Sequence, residues 1–397
     1  MTKNFTFSDI NSELQVLIRA GEAALDKTKK PLLDEWLKEK TFDWEKVYQL
    51  AGVHQIRPLL LRGVAGLQNA DIPPTILQKL KADCFRISAR SLANTNEMLR
   101  LLEIYKQHDI LAVPYKGAYL ANQYYGDFGL REFSDIDLFV KEEDIDRIKE
   151  VMVKEGYESQ YNIQPNQEKM FFYYWCEYNF DLSDKKGNRL YHVEPHFRSN
   201  HKICDLDLTV NDFKDDITEI TFLGKNIFTL TNEAHLILTT TNHGLNEGWT
   251  SLKYIFDLYQ ILQKDGNTLD WVSLKTSFKK LDILPTFLVG YSMLNALFHI
   301  EISLSLKDLV EKKKIKQLTE QRLGKLTHYS KLGFDSQWNK FIFNIKCRTS
   351  LISQLKMIYF QSAAPGKAEL DIISLPSWLS FLYLFIRPVR IFKDRVL

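Results

Sequence analysis

Two aspartates, Asp135 and Asp137, open an apolar stretch that runs to Val140. Side chains of a β-strand alternate between its two faces, so both carboxylates would leave the same face, roughly 6.6–6.8 Å apart along the backbone. Branched apolar neighbours favour a buried strand, where two carboxylates are costly unless they are paired, hydrated or metal-bound. Their oxygens are ligands that Mg²⁺ takes, together with water and substrate phosphates. The pattern therefore predicts a magnesium site, and the alternative is an exposed strand with two solvated aspartates.

A lysine–glycine pair, Lys116 and Gly117, lies upstream of these acids, directly after a predicted short strand. Glycine lets the backbone approach a ligand closely, and the amides that begin the following predicted helix would face an anion such as phosphate. Lys116 could add positive charge there or remain a solvated turn residue. Arg131 could bind triphosphate oxygens in a bidentate manner or form an ion pair with an aspartate. Ser134 could orient Asp135 or simply begin the strand.

A second predicted strand, over residues 189–197, carries three polar side chains on one face, because His192, Glu194 and His196 alternate along it. Pro195 has no N–H group, so we expect this strand to lie at a sheet edge or to end there. An aromatic strand over residues 170–182 and a hairpin loop are predicted to precede it.

The order of these residues resembles that of a known group of enzymes. A KG pair, an arginine and the run Ser134-Asp135-Ile136-Asp137 resemble the nucleotidyltransferase superfamily with the DNA polymerase β-type palm. The chain is more similar to poorly characterised bacterial nucleotidyltransferase-family proteins, in which a KG turn precedes a DID strand. The similarity extends from about Trp44 to Asp257. Two departures from the wider superfamily are a Lys-Gly-Ala turn in place of Gly-Gly or Gly-Ser, and a glutamate as the third acid.

The resemblance implies which residues form the site. The catalytic and metal-binding set would be Asp135, Asp137 and Glu194, with two Mg²⁺ ions as the expected cofactor. The nucleotide-binding set would be Lys116, Gly117, Arg131 and Ser134. Glu194 matches the third carboxylate of the superfamily, within a segment similar to its D-x-H-aromatic pattern, and could hold the second ion or accept the proton of the attacking hydroxyl. Candidates for supporting roles behind the ligands or along the nucleotide cleft are His196, His243 and Asp257. For His243 and Asp257 the alternative is hydrogen bonding between helices.

These expectations describe a metal-dependent nucleotidyltransferase. It would transfer a nucleoside monophosphate from an NTP to an acceptor hydroxyl and release pyrophosphate. Two ions roughly 3.5–4 Å apart would clamp the attacking and leaving oxygens. The acceptor stays open among a sugar, a peptide and a small molecule. The alternative is a catalytically inactive nucleotide-binding partner or regulator in a bacterial biosynthetic pathway.

Composition limits the other possibilities. The 397 residues carry a net charge of +2, which argues against a dedicated nucleic-acid surface. Four cysteines without a C-x-x-C pair predict free thiols in a reducing cytoplasm. We expect no signal peptide and no transmembrane segment. The apolar and then basic segment over residues 376–397 is expected to pack on the core, and peripheral membrane contact is the weaker alternative.

The fold class predicted from these elements is α+β. We expect a small mixed sheet of the polymerase β-like type, with helices, embedded between N-terminal and C-terminal helical regions. The predicted regions are an N-terminal helical region over 1–108, a palm-like catalytic domain over 109–230 and a C-terminal helical region over 231–397. An amphipathic helix over 142–155 should end at Gly156, and a long helix from residue 75 to 107 could be broken once. His54 is expected to be a packed or capping histidine rather than a ligand.

Overall fold

The computed structural model describes residues 7–38, 40–161, 163–300, 303, 305–327, 337–364, 375, 379, 382, 383, 385 and 386. The protein is α+β, with a five-stranded mixed sheet and helical N-terminal and C-terminal regions, so the predicted fold class is confirmed. The chain divides into two compact units. The first comprises residues 1–98, 116–134 and 235–343, and the second comprises residues 99–115, 135–234 and 344–397. The region boundaries after residues 108 and 230 stay a prediction.

The helices of the described residues have the following bounds in chain order: α1 Ser12–Leu25, α2 Lys30–Lys38, α3 Trp44–Val53, α4 Arg57–Val64, α5 Pro74–Gln107, α6 Gly117–Leu120, α7 Ile145–Lys154, α8 Glu168–Tyr174, α9 Asn232–Thr239, α10 Leu252–Asp265, α11 Trp271–Lys280, α12 Leu284–Phe298, α13 Lys307–Val310, α14 Lys313–Thr327, α15 Gln337–Cys347 and α16 Leu351–Ala363. Two π-helical segments, Ala121–Tyr125 and Thr240–Asn246, continue α6 and α9. No helix in the described part of the chain combines the length and apolar character that crossing a bilayer requires.

The first unit is helical, and α1 and α4 lie at its centre in close backbone contact. A β-carbon at Gly63 of α4 would lie 2.0 Å from the carbonyl oxygen of Ala20 in α1, so only glycine allows this approach. Asn11 begins α1 by accepting a hydrogen bond from the N–H group of Leu14 at 2.8 Å. The buried face of α1 includes Leu17, which is fully buried. These contacts form part of the core of the first unit.

His54 is packed inside the first unit, as expected. Its Nδ1 accepts a hydrogen bond from the N–H group of Leu252 at 3.1 Å, and its carbonyl oxygen accepts one from the Ser251 hydroxyl at 2.9 Å. Burial lowers the pKa of His54 to about 3. A neutral imidazole therefore helps to cap the start of α10.

The second unit contains the sheet, whose strands lie in the order β1-β2-β5-β4-β3. Their bounds are β1 Ala112–Pro114, β2 Ile136–Val140, β3 Glu158–Ser159, β4 Phe180–Ser183 and β5 Arg189–His196. The pair β2–β5 is parallel and the other neighbours are antiparallel. A separate hairpin pairs β6 Ile217–Phe222 with β7 Lys225–Leu230. The predicted amphipathic helix forms as α7 after a short 3₁₀ turn, and Gly156 follows it with φ +84°.

Two local expectations are wrong, and a third holds in part. The first half of the aromatic segment 170–182 is the helix α8, whose buried side chains Met170, Phe171 and Tyr174 recur at helical spacing. Aromatic residues favour strands mainly by fitting a half-buried surface, and a helix face provides that equally well. The long helix α5 is unbroken. Of the two expectations for Pro195, a sheet edge is wrong because β5 lies between β2 and β4, whereas a strand end is nearly met because β5 ends one residue later, at His196.

Most of the apolar and basic C-terminal segment lies outside the described residues. Of the described ones, Tyr383 is fully buried and packs with Met170, Tyr174 and Phe360.

Candidate active site

Two of the predicted acids lie side by side on adjacent strands in the sheet of the second unit. Asp137 on β2 and Glu194 on β5 are register partners in the parallel pair. Partners in register on adjacent strands point to the same face of a sheet. The residues around Asp137 on β2 are all buried, and Asp137 itself is only 6% exposed. The sheet therefore holds two carboxylates side by side in a poorly solvated position.

His196 joins these two acids through one of its ring nitrogens. Its Nε2 lies 3.1 Å from Asp137 Oδ1 and 3.4 Å from Glu194 Oε2. One ligand atom from each of the three residues lies within 4.8 Å of the others. The rings of His196 and Tyr115 also pack at right angles, with centroids 5.5 Å apart. His196, which was expected only in a supporting role, thus lies among the acids themselves.

Behind Glu194, a second histidine continues the chain of contacts. His192 Nε2 lies 2.9 Å from Glu194 Oε1, and its Nδ1 lies 2.6 Å from Asp181 Oδ1. The hydrogen bond to Glu194, and then the bond to Asp181, raise the pKa of His192 to about 9 against the opposing effect of burial. His192 is therefore a cation at neutral pH that holds Glu194 in place. The shared strand face of His192, Glu194 and His196 agrees with their predicted alternation.

The other ring nitrogen of His196 faces two residues that sequence reasoning missed. Its Nδ1 lies 3.3 Å from Glu177 Oε2, and Cys176 Sγ lies 3.7 Å from the same oxygen. Burial favours the neutral thiol, but the charge of His201 together with hydrogen bonds to His196 and His201 lowers the pKa of Cys176. The charge of Cys176 in turn raises the pKa of His201 to about 9. Cys176 and Glu177 stand in no recognisable ligand spacing, so the sequence carries no signal for them.

Asp135 does not lie on strand β2 with Asp137, although the two were predicted to share a strand face. It lies one residue before β2 and is half-buried. Among the described residues, the groups whose ligand atoms all lie within 4.8 Å of one another do not include it. The structure thus brings together Asp137 and Glu194 of the predicted metal-binding set and leaves Asp135 outside this cluster.

The predicted nucleotide-binding residues belong to the first unit. Gly117 begins α6 with φ +47°, a conformation that favours glycine. Lys116 is half-buried before it, and Ser134 is exposed. The roles of these three residues in binding phosphates stay predictions.

Arg131 forms the ion pair that was the alternative to phosphate binding, and its partner is Asp257. Arg131 Nε donates to Asp257 Oδ1 and Nη2 donates to Oδ2, both at 2.8 Å. The Tyr125 hydroxyl also donates to Oδ1 at 2.8 Å, and His243 Nε2 lies 2.9 Å from Oδ2. Burial alone would raise the pKa of Asp257, but Arg131 and His243 lower it far below its ordinary value. His243 and Asp257 therefore form the predicted hydrogen bond between helical segments.

The cluster of Asp137, Glu194 and His196 has the donor atoms of a divalent-cation site. Adjacent ligands in an octahedral Mg²⁺ site are about 2.9 Å apart, because each lies 2.0–2.1 Å from the ion. The separations of 3.1 and 3.4 Å around His196 Nε2 are close to that value. Two carboxylates suit Mg²⁺, and an imidazole nitrogen widens the choice to Mn²⁺ or Zn²⁺. The residues present therefore fit a divalent metal.

A family profile described as uncharacterised nucleotidyltransferase matches residues 40–299. The chain belongs to this nucleotidyltransferase family. The match includes both acids of the central strands and the Arg131–Asp257 pair, and it confirms the family resemblance seen in the sequence. No curated protein and no solved structure matches the chain. Nucleotidyltransferases generally use divalent metals, which agrees with the donor atoms of the cluster.

Proposed function

We propose that this family member is a metal-dependent nucleotidyltransferase that moves a nucleoside monophosphate from an NTP to an acceptor hydroxyl, with pyrophosphate as the leaving group. The observation that carries the proposal is the register pairing of Asp137 and Glu194 on adjacent parallel strands. It places two carboxylates in a buried position that a cation would compensate. Family membership supplies the reaction class.

Each residue of the cluster has a distinct part in this proposal. Asp137 and Glu194 would hold the cation, which when bound supplies positive charge to the α-phosphate and the leaving group. His192 fixes Glu194 from behind through its hydrogen bond at 2.9 Å. His196 lies against the Asp137 carboxylate at 3.1 Å and holds its orientation. Asp135, which precedes the strand, remains in the proposal as a further ligand.

The same proposal assigns the triphosphate to Lys116, Gly117 and Ser134. Arg131 is a weaker candidate for binding the triphosphate, because its guanidinium already donates hydrogen bonds to both oxygens of Asp257. Mg²⁺ is the first cation to test, and Mn²⁺ is the second because of the imidazole beside the acids. The acceptor stays open among a sugar, a peptide and a small molecule.

The decisive experiment follows label from the α-phosphate of each NTP into product, together with pyrophosphate release, with and without a divalent cation. We expect Asp137→Asn to lower the rate about a hundredfold or more, because charge stabilisation by a bound cation is worth several kcal/mol. Glu158→Gln, an exposed acid on the edge strand β3, is the matched control and should keep full activity.

Three outcomes separate the alternatives. Cation-dependent release that is lost in Asp137→Asn and kept in Glu158→Gln supports the enzyme. Equal rates in the wild type and Asp137→Asn contradict it. NTP binding in calorimetry without pyrophosphate release, across the panel of acceptors, would support the inactive nucleotide-binding partner instead.

A further inference from the structure

His196 presents its two ring nitrogens to two different sets of ligands. Nε2 faces Asp137 and Glu194, whereas Nδ1 faces Glu177, whose carboxylate lies beside Cys176. One ligand atom from each of Cys176, Glu177 and His196 lies within 4.8 Å of the other two. We propose that these three residues form a second metal site, selective for Zn²⁺ and similar transition metals, on the far side of the imidazole from the two acids.

The two distances from Glu177 Oε2 to the other ligand atoms match those of a tetrahedral zinc site. Zinc binds sulfur at about 2.3 Å, nitrogen at about 2.0–2.1 Å and carboxylate oxygen at about 2.0–2.2 Å. In a tetrahedron these lengths place nitrogen about 3.4 Å from oxygen, and sulfur about 3.6 Å from oxygen. The structure has 3.3 Å between His196 Nδ1 and Glu177 Oε2, and 3.7 Å between Cys176 Sγ and the same oxygen. Small side-chain rotations would complete the site.

The backbone holds the two ligand-bearing segments together before any metal binds. Glu177 and His196 form an antiparallel β-bridge. The carbonyl oxygen of Cys176 accepts hydrogen bonds from the N–H groups of Phe197 and Arg198 at 2.9 and 3.1 Å. Because the segments are already fixed, metal binding costs little ordering of the chain. Such preorganisation is typical of metal-binding sites.

The donor set distinguishes this site from a magnesium site. Thiolate and imidazole ligands select zinc and related metals, whereas Mg²⁺ prefers oxygen. Cys176 and His196 are buried, and Glu177 is the more accessible ligand, with 19% of its side chain exposed. The thiol proton would leave to solvent as the sulfur binds the metal. The fourth position would take water or His201, which is hydrogen-bonded to Cys176.

A metal on Nδ1 fixes the chemistry of the opposite ring nitrogen. Nδ1 can bind a metal only through its lone pair, so Nε2 must then carry the hydrogen and donate it. The nearer acceptor is Asp137 Oδ1, at 3.1 Å, and Glu194 Oε2 lies at 3.4 Å. Zinc at the second site would therefore make His196 a positioning residue for Asp137 and remove it as a ligand of the catalytic cation.

The test uses Co²⁺ as a spectroscopic substitute for zinc, with the full-length metal-free protein and no nucleotide. We expect one equivalent of Co²⁺ to give the intense near-ultraviolet absorption of a cobalt–thiolate bond, which added Zn²⁺ displaces. Cys176→Ser should abolish that absorption. Cys84→Ser, which removes a buried cysteine of the first unit, should keep it. Glu177→Gln should weaken Co²⁺ binding at least about tenfold.

Absence of the thiolate absorption in the wild type would overturn the proposal, as would its persistence in Cys176→Ser or its loss in Cys84→Ser. If Cys176→Ser does not fold, as judged by circular dichroism, the wild-type absorption and the effect of Glu177→Gln decide. No arm measures nucleotidyl transfer, so a negative result leaves the proposed enzyme activity standing.

Discussion

The buried pair of Arg131 and Asp257 allows a direct test of whether Arg131 stabilises the fold or binds phosphate. Both side chains are almost inaccessible, with 4% and 1% of their surfaces exposed. The Asp257 carboxylate receives two hydrogen bonds from Arg131, one from Tyr125 and one from His243. These four contacts use all four lone-pair directions of the two oxygens. Arg131 is therefore expected to stabilise the fold in the absence of any ligand.

Asp257→Asn removes the negative charge and leaves the buried guanidinium without the carboxylate that pairs with it. Breaking one side of a buried ion pair costs about 3–5 kcal/mol, and Arg131→Met should cost a similar amount. The double variant should lose about 2 kcal/mol less than the sum of the single losses, because residues in one network couple by 0.5–3 kcal/mol. The free energies of unfolding come from denaturant titration of the full chain, followed by the fluorescence of the buried Trp249.

A neighbouring tyrosine gives the matched control cycle. The Tyr124 hydroxyl donates to Asp265 at 2.9 Å rather than to Asp257. Combining Tyr124→Phe with Asp257→Asn should therefore give losses that add to within about 0.5 kcal/mol. If Arg131→Met costs less than about 1 kcal/mol and instead weakens NTP binding, the structural account of Arg131 is refuted and its phosphate role is favoured.

Two further predictions concern packing and protonation in the first unit. Gly63→Ala should cost about 1–3 kcal/mol, because its new methyl group would lie 2.0 Å from the Ala20 carbonyl oxygen. Gly324→Ala in helix α14, which meets nothing within 4 Å, should raise the melting temperature slightly, and equal losses in the two variants would contradict the argument. Burial lowers the pKa of His235 from 6.5 to about 3. The unfolded chain then binds a proton that the folded chain does not, so stability falls as pH drops below about 6.5, by about 2 kcal/mol at pH 5. His235→Phe should reduce the fall in unfolding free energy between pH 7 and pH 5 by that amount, and an unchanged slope would show that His235 is not the group responsible.

The sequence predicts the site best where it depends on strand periodicity. Alternation placed Asp137 among buried apolar residues and put His192, Glu194 and His196 on one face, because a strand permits only two directions for its side chains. Those predictions required no knowledge of which strands become neighbours. The pairing of β2 with β5 came from the family resemblance, since no local signal specifies which strands lie side by side.

The sequence fails where a contact depends on residues far apart in the chain. Arg131 reaches an aspartate 126 positions away, and nothing near Arg131 indicates whether its partner is a protein carboxylate or a phosphate. Pro195 illustrates a constraint that the fold meets locally. Its missing N–H suggested a sheet edge or a strand end; the ladder between β4 and β5 ends at Val193, but the carbonyl oxygen of Pro195 still accepts a hydrogen bond from the N–H group of Tyr178 at 3.0 Å. The residue type of Pro195 therefore predicted that one backbone hydrogen bond would be missing, but it did not predict where strand β5 would lie in the sheet.

The balance of charge around the two histidines of β5 gives a physical reason to expect a cation there. Four carboxylates contact the two imidazoles: Asp137, Glu177, Asp181 and Glu194. Even with both rings protonated, four negative charges face two positive ones. Arg189 approaches Asp181 at 3.7 Å, but half of its side chain is exposed, so water screens much of its effect. A buried excess of negative charge is costly, and one divalent ion beside Asp137 and Glu194 would offset the two uncompensated charges. A metal on Nδ1 would leave His196 unprotonated and would add the charge of the Cys176 thiolate, so a zinc site would not replace the cation beside the two acids. The Co²⁺ and Mg²⁺ experiments therefore test two separate sites.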